Sequence, residues 1–411
     1  MAGQARAPQA GRILELDALR GLAVIGIALM NVFAFAMPGA AYYNPAAWGA
    51  GSWADYAAWA LSFVLVEDKF RVMFAMMFGA GVSILLDRPA LHPLRAHYAR
   101  MAVLFVIGFL HALLLFSGDV LRLYALCGLV LPLAARWPVR RLWIGVAVLL
   151  AVHLAAGGYI AWGWLEYWWR FAHVPGTDPA PLAPIEAAFG ADPAALERGL
   201  AIGREALGER IARRWDGTLG GLVAGLVVLP TTLAAMLAGI ALWRNGLLAA
   251  QWPARRAMQF AWRLAFMALP PLVLLAWFAF YAEFHGAVIG TNALVWSAPF
   301  DLVLGIAWTG FAMALSRRCG QAGGVVRRLA AAGRMALTNY LLTSVLLAAI
   351  YGSWGLGLFG TTGRLASLGV TLLPMAGALL WSPIWLAYFR QGPCEWLWRG
   401  AASLTFAPLR R

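Results

Sequence analysis

Apolar runs near twenty residues long recur through this chain, and they dictate its solvent. Such a run closes its own backbone hydrogen bonds as a helix. It also matches a hydrocarbon core of ~30 Å at a rise of ~1.5 Å per residue. Ten can be placed: 18–37, 70–86, 98–117, 120–135, 142–164, 218–242, 262–281, 296–315, 335–352 and 365–388. The second and fourth are short, which is tolerable where neighbouring helices bury them. Charged residues fill 12% of the 411 positions and hydrophobic residues 62%. A soluble domain carries about 25% charged residues, so polar surface is too scarce here for water. A membrane β-barrel would alternate apolar and polar residues, and these runs do not. The expected fold is all-α: a polytopic membrane protein with about ten transmembrane helices.

The net charge of +14 does not indicate nucleic acid, because the arginines recur at the ends of the apolar runs instead of gathering in one domain. With the N-terminus placed in the cytoplasm, 22 of the 32 basic residues fall on cytoplasmic segments, Arg6, Arg12 and Arg88 among them. Both termini are then expected to be cytoplasmic, in a bacterial-type inner membrane. The run 18–37 is too long for a signal peptide core of about 7–15 residues. The stretch Trp53–Val66 is apolar but only fourteen residues long; its tryptophans suit a short interfacial or re-entrant helix. Residues 1–164 form an N-terminal transmembrane half and 218–411 a C-terminal one. Between them, 165–217 reads as an extracytoplasmic loop, with an aromatic belt at Trp164–Trp169 and a charged helical stretch at Pro193–Trp215. Cys127, Cys319 and Cys394 are widely spaced and suggest neither a disulfide framework nor a metal site.

Polar groups inside a bilayer cost several kcal/mol and need a reason. Asp17 and Arg20 sit three apart on one helix face and can pair; Arg20 can also grip phosphate oxygens with its planar fork. Asn31 lies ~16 Å further along the same helix. Lys69, the sole lysine, stands in Glu67–Arg71, either a solvated helix end or a binding group. His111 is followed by Asp119, Arg122 and Tyr124; a carboxylate beside an imidazole orients it and raises its basicity, as a general base requires. Arg334, Thr338, Asn339 and Tyr340 open the ninth run and suit a cytoplasmic ligand or helix-end carbonyls. Glu283, His285 and Glu395 are weaker candidates, and His92, His97, His153 and His173 receive no role. No Walker loop, HExxH or G-x-S-x-G element occurs.

The segments LDALRGLAVIGIALMN, KFRVMFAMMFGAGVSILL, GFLHALLLFSGDVLRLYAL, GRMALTNYLLTS and GPCEWLWR, in this order, resemble the YeiB family of bacterial membrane proteins. That family is distantly similar to transmembrane acyltransferases, including heparan-α-glucosaminide N-acetyltransferase and O-acyltransferases of bacterial surface polysaccharides. The resemblance implies acyl-CoA as a donor handled from the cytoplasm and a carbohydrate-like acceptor on the other side. The O-acyltransferases carry an arginine and a histidine eleven residues apart on the first helix. Arg20 matches the arginine, but Asn31 stands at the histidine position, and asparagine cannot act as a base. The base is then expected from His111 with Asp119, with Asn31 beside them. Asp17, Arg20, Lys69, Arg122, Tyr124, Arg334 and Asn339 are the expected substrate-binding set, with no metal. The expected function is that of a transmembrane acyltransferase; the alternatives are a proton-coupled permease and a scaffold without turnover. The expected partners are the lipid bilayer and, in a homo-oligomer, a second copy.

Overall fold

The computed structural model describes residues 13–87, 92–320 and 323–411. Arg6, Arg12 and Arg88 of the arginine count lie outside the described residues. Among those described, the chain is helical throughout, with a single isolated bridge between Phe389 and Arg410. The first six helices are α1 (Leu14–Ala36), α2 (Trp53–Leu65), α3 (Lys69–Leu86), α4 (Pro93–Leu114), α5 (Leu121–Ala134) and α6 (Val139–His173). Three short helices follow: α7 (Ala183–Phe189), α8 (Pro193–Gly203) and α9 (Leu207–Asp216). Then come α10 (Thr218–Val227), α11 (Leu229–Arg244), α12 (Ala254–Tyr281), α13 (Gly286–Thr291) and α14 (Ala298–Cys319). The chain ends with α15 (Gly324–Arg334), α16 (Ala336–Tyr351), α17 (Arg364–Val370), α18 (Leu372–Tyr388) and α19 (Pro393–Ser403).

Seven described stretches are long and apolar enough to cross a membrane, or nine if two bent pairs each count once. The pairs are α10 with α11, bent by 57°, and α15 with α16, bent by 85°. Pro230, in the first turn of α11, accounts for the first break, because proline supplies no N–H to continue a preceding helix. The remaining expected run, 120–135, is α5, only 14 residues long and packed against α3, α4 and α11. Trp53–Val66 adds no crossing of its own: α2 and α3 together form one apolar stretch of 34 residues, Trp53–Leu86.

In lipid, helices gain little from burying bulky apolar groups against each other, so contacts favour small residues and close approach. α12 shows this plainly. Its alanines Ala257, Ala261, Ala265, Ala268 and Ala276 face inward, and α12 packs closely on α14. Trp262, Phe266, Val273, Trp277 and Tyr281 are exposed on the other side. Two crossings are closer still. A β-carbon on Gly21 of α1 would stand 2.0 Å from the Leu329 carbonyl oxygen of α15, and one on Gly333 only 1.8 Å from that of Asp17. Gly79 of α3 and Gly239 of α11 meet the same way, with clashes of 2.0 and 1.9 Å against the carbonyls of Met236 and Met76. Segments from both halves of the chain therefore share one core.

A charge pair crosses that core. The Lys69 ammonium, at the start of α3, lies 2.6 Å from Asp301 Oδ1 on α14, and both side chains are almost fully buried. It also donates to the Phe63 carbonyl at 2.5 Å. Segment 165–217 lies over the end of the bundle at which α4 stops. Arg214 donates to the carbonyls of Leu113 and Leu115, and Glu186 accepts from Gly286 N–H.

Two outcomes follow for stability in detergent. Gly79→Leu meets backbone on the facing helix and is expected to cost the upper end of ~1–3 kcal/mol or more. Gly377→Leu on α18, where a β-carbon meets open space, leaves the melting temperature unchanged. Lys69→Met alone costs about 3–5 kcal/mol by stranding Asp301, and adding Asp301→Leu recovers most of it. A double variant no more stable than the single one would show that the pair does not act as a unit.

Candidate functional site

α4 ends at Leu114, and a short turn leads into α5. The turn presents Asp119 to the last full turn of α4. His111 Nδ1 lies 2.7 Å from Asp119 Oδ2, and both side chains are almost fully buried. A carboxylate accepts here, so Nδ1 carries the proton and Nε2 keeps its lone pair. Nε2 is buried and has no hydrogen-bond partner among the described residues. Gly108 makes the arrangement possible, since a β-carbon there would stand 2.7 Å from both Asp119 Oδ1 and the Arg122 nitrogen. Arg122 secures the turn: its N–H donates to Asp119 Oδ1 at 3.0 Å and its guanidinium to the Ser117 carbonyl at 3.1 Å. Its Nε is 3.8 Å from Asp119 Oδ1.

A cavity of about 890 Å³ opens among α1, α3, α4, α5, α16 and α19. Its exposed rim includes Asp87 and Arg399. Arg20, Arg100 and Arg334 line it too, and Asp17 pairs with Arg20 at 3.2 Å. The walls are apolar, with Val24, Ile27, Phe74, Met77, Phe78 and Leu104 among them. Its lining on α1 runs from Ile13 to Ile27, ~21 Å of helix. The buried end is closed by Val120, Leu121, Tyr124 and Tyr340. Tyr124 donates to the Arg71 carbonyl at 2.9 Å. The Tyr340 ring lies on His111, centroid to centroid 5.0 Å, and its buried hydroxyl beside Asp119 makes no well-formed hydrogen bond. Tyr340 thus stands between the cavity and the histidine–aspartate pair.

The α15–α16 bend places Tyr340 there, and distant residues hold the bend. Glu395, on α19, accepts from Leu337 N–H at 2.7 Å, Thr338 N–H at 3.2 Å and the Thr338 hydroxyl at 2.6 Å. These satisfy donors that the first turn of α16 cannot pair internally. Burial pushes the Glu395 carboxyl above its usual range, against the pull of those bonds. Asn339 donates to the Ala332 carbonyl and to Ser382, and accepts from Trp381.

The candidates read from sequence therefore separate. Asp17, Arg20, Arg334 and Tyr124 line the cavity. His111, Asp119 and Arg122 lie together behind Tyr340. Lys69 is engaged with Asp301, and Asn339 ties α16 to α15 and α18. Asn31 is half-buried and is not part of the cavity wall. Three residues escaped the sequence reading. Arg100 and Arg399 are among the arginines at the ends of the apolar runs, which sequence alone reads as topology signals. Asp301 lies inside an expected span, where the cost of an intramembrane acid was signal enough. His97 also lines the cavity; its Nε2 donates to the Gly128 carbonyl at 2.7 Å.

Comparison with known proteins was made on this basis. Residues 242–405 match a family described as a protein of unknown function, DUF418. The uncharacterized protein YeiB of Escherichia coli (strain K12) is 33% identical over 404 residues, covering 94% of this chain and 95% of that protein. The uncharacterized protein YxaH of Bacillus subtilis (strain 168) is 25% identical over 425 residues, covering 97% and 96%. An uncharacterized 39.9 kDa protein from the amylase 3′ region of Bacillus acidopullulyticus is 26% identical over 408 residues, covering 94% and 93%. No solved structure matches. With a third of its residues identical to YeiB over nearly the full length of both chains, this helical membrane protein belongs to the YeiB family.

Proposed function

We propose that the protein is an acyltransferase of a bacterial inner membrane, taking an acyl group from acyl-CoA and passing it to a sugar or other acceptor at the outer face. The observation that carries this reading is the cavity itself, lined by arginines toward its rim and ending on a tyrosine that covers a histidine–aspartate pair. Arg20, Arg100, Arg334 and Arg399 suit the donor's phosphates, because a guanidinium binds phosphate oxygens in pairs. Inward of Arg20 the wall is apolar for ~10 Å of α1, to Ile27, with Phe74, Phe78 and Leu104 facing it, which suits an extended arm leading inward. The rim is then the cytoplasmic end, in keeping with the arginine bias.

The chemistry asks little of the protein. The acceptor oxygen or nitrogen attacks the thioester carbonyl carbon as its proton passes to His111 Nε2. The carbon–sulfur bond then breaks, and the proton moves on to the departing thiolate. Asp119 keeps the imidazole in the required tautomer and stabilises it when charged. Arg122 holds Asp119, the Tyr340 hydroxyl is a donor for the developing oxyanion, and Asn31 is a hydrogen-bonding group for the acceptor.

A second reading, a proton-coupled permease, has one observation in its favour: the buried Lys69–Asp301 pair, of the kind found in proton relays. Proton-dependent flux in proteoliposomes without covalent change would select it.

Gly81 offers a direct test of the first reading. It lines the cavity, and a β-carbon there meets open space. Gly81→Phe is expected to preserve the fold, fill the passage and lower CoA affinity at least about tenfold. His111→Ala should keep CoA binding and lower acyl-CoA consumption about 10²–10⁴-fold. Wild-type protein that neither binds nor consumes acyl-CoA would end the proposal.

A further inference from the structure

Arg364 is the bulkiest of the fully buried side chains, with no exposed surface. It lies toward the end of α1 opposite the cavity rim. Its guanidinium sits 4.2 Å over the ring of Phe33, which is ~20 Å beyond Arg20 along α1. Nη2 donates to the Ala41 carbonyl. Nε and Nη1 are buried and have no hydrogen-bond partner among the described residues. Glu67 and Asp55 lie near enough to offset its charge. Neither hydrogen-bonds it among the described residues: Asp55 accepts from Leu365 N–H, Gly51 N–H and Ser52. Tyr351, in the same buried cluster as Phe33 and Ala41, also has a buried hydroxyl without a hydrogen-bond partner among the described residues.

A buried donor left unmade costs ~1–3 kcal/mol, and more when charged. A methionine would fill similar space without that cost. The two open edges of one guanidinium fork form a donor set that lacks its acceptor, and an open phenol belongs to the buried cluster on which it rests. The complement is a group with paired oxygens, a carboxylate or a phosphate. The same cluster reaches the histidine. Phe35 stacks on Phe116 at 4.9 Å, and Phe116 lies 6.1 Å edge-on to His111. The open donors therefore belong to the buried cluster that meets His111 through Phe116, while the donor cavity meets it through Tyr340.

We propose that Arg364, with Tyr351 of the same buried cluster, forms an oxyanion subsite that receives the acidic group of the acceptor, so that the acceptor is a sugar acid. The word acceptor rests on the acyltransferase reading; the subsite rests on Arg364 alone. Entry requires the covering backbone at Ala41 and Gly49, both bonded to Arg364, to lift.

The test uses full-length protein in detergent. Glucuronic acid, glucose and inorganic phosphate are titrated by tryptophan fluorescence and thermal shift, with CoA binding measured on the same samples. Glucuronate is expected to bind at least about tenfold more tightly than glucose, and Arg364→Met to remove about tenfold while CoA binding persists. Tyr351→Phe, which deletes one hydroxyl, should cost about threefold and serves if Arg364→Met fails to fold. Absent glucuronate binding, or binding undiminished in both variants, overturns the subsite. Phosphate binding as tightly as glucuronate assigns it to the free ion and overturns the acceptor assignment. Loss of CoA binding in wild-type protein, with Arg364-dependent glucuronate binding intact, sinks the donor reading and leaves the subsite standing.

Discussion

The backbone contact between α1 and α15 is the constraint on which the site depends. Gly21 and Gly333 bring the two helices so close that neither position has room for a methyl group. That approach sets Asp17 and Arg20 against the end of α15 that carries Arg334. It also fixes where α15 stops, and the chain turns by 85° at that point. The turn carries α16 inward and lays Tyr340 on His111. A wider crossing would separate the arginines and uncover the histidine together. Glu395 and Asn339 then hold a bend that the glycine contact has located.

Buried charges in this protein fall into two kinds, and the difference bears on function. Lys69 is spent on Asp301 and the Phe63 carbonyl. Arg71 forks onto both oxygens of Asp68 and reaches Thr232. Such completed pairs specify how helices meet, and breaking one strands a charge. His111 and Arg364 are incomplete: each has a buried nitrogen that nothing in the described chain satisfies. An interior that hydrogen-bonds nearly all of its polar groups makes such exceptions informative.

Much of this was legible in the sequence where cause and effect lie close together. Apolar runs predict helices because length and period act locally. Asp17 with Arg20 and His111 with Asp119 are neighbours in sequence, and the structure pairs both. What stayed hidden depends on parts of the chain that meet only after folding. Asp301 could be singled out by its cost in lipid, yet nothing local names Lys69 as its partner. Tyr340 reads as one residue in a polar helix start until the bend turns it onto a histidine from α4. Glu395 gains its meaning from the backbone donors of α16. The break at Pro230 has a local cause, but the sharper one at Met335 contains no proline.

Tyr340 also gives the arrangement a chemical logic. A cavity with a charged rim admits water, and a thioester brought beside an exposed base would hydrolyse. Neither His111 nor Asp119 lies in the cavity wall, because the Tyr340 ring separates them from it. At the other end of the histidine, Phe116 closes the approach, and α9 sits over the end of α4 through Arg214. The pair is therefore covered from both directions, where its electrostatics act most strongly. In the acyltransferase reading proposed above, transfer between two faces of a membrane demands such a plug, since an open path from rim to acceptor would leak. A shielded base with aromatic covers on each side reconciles two-sided access with a sealed bilayer.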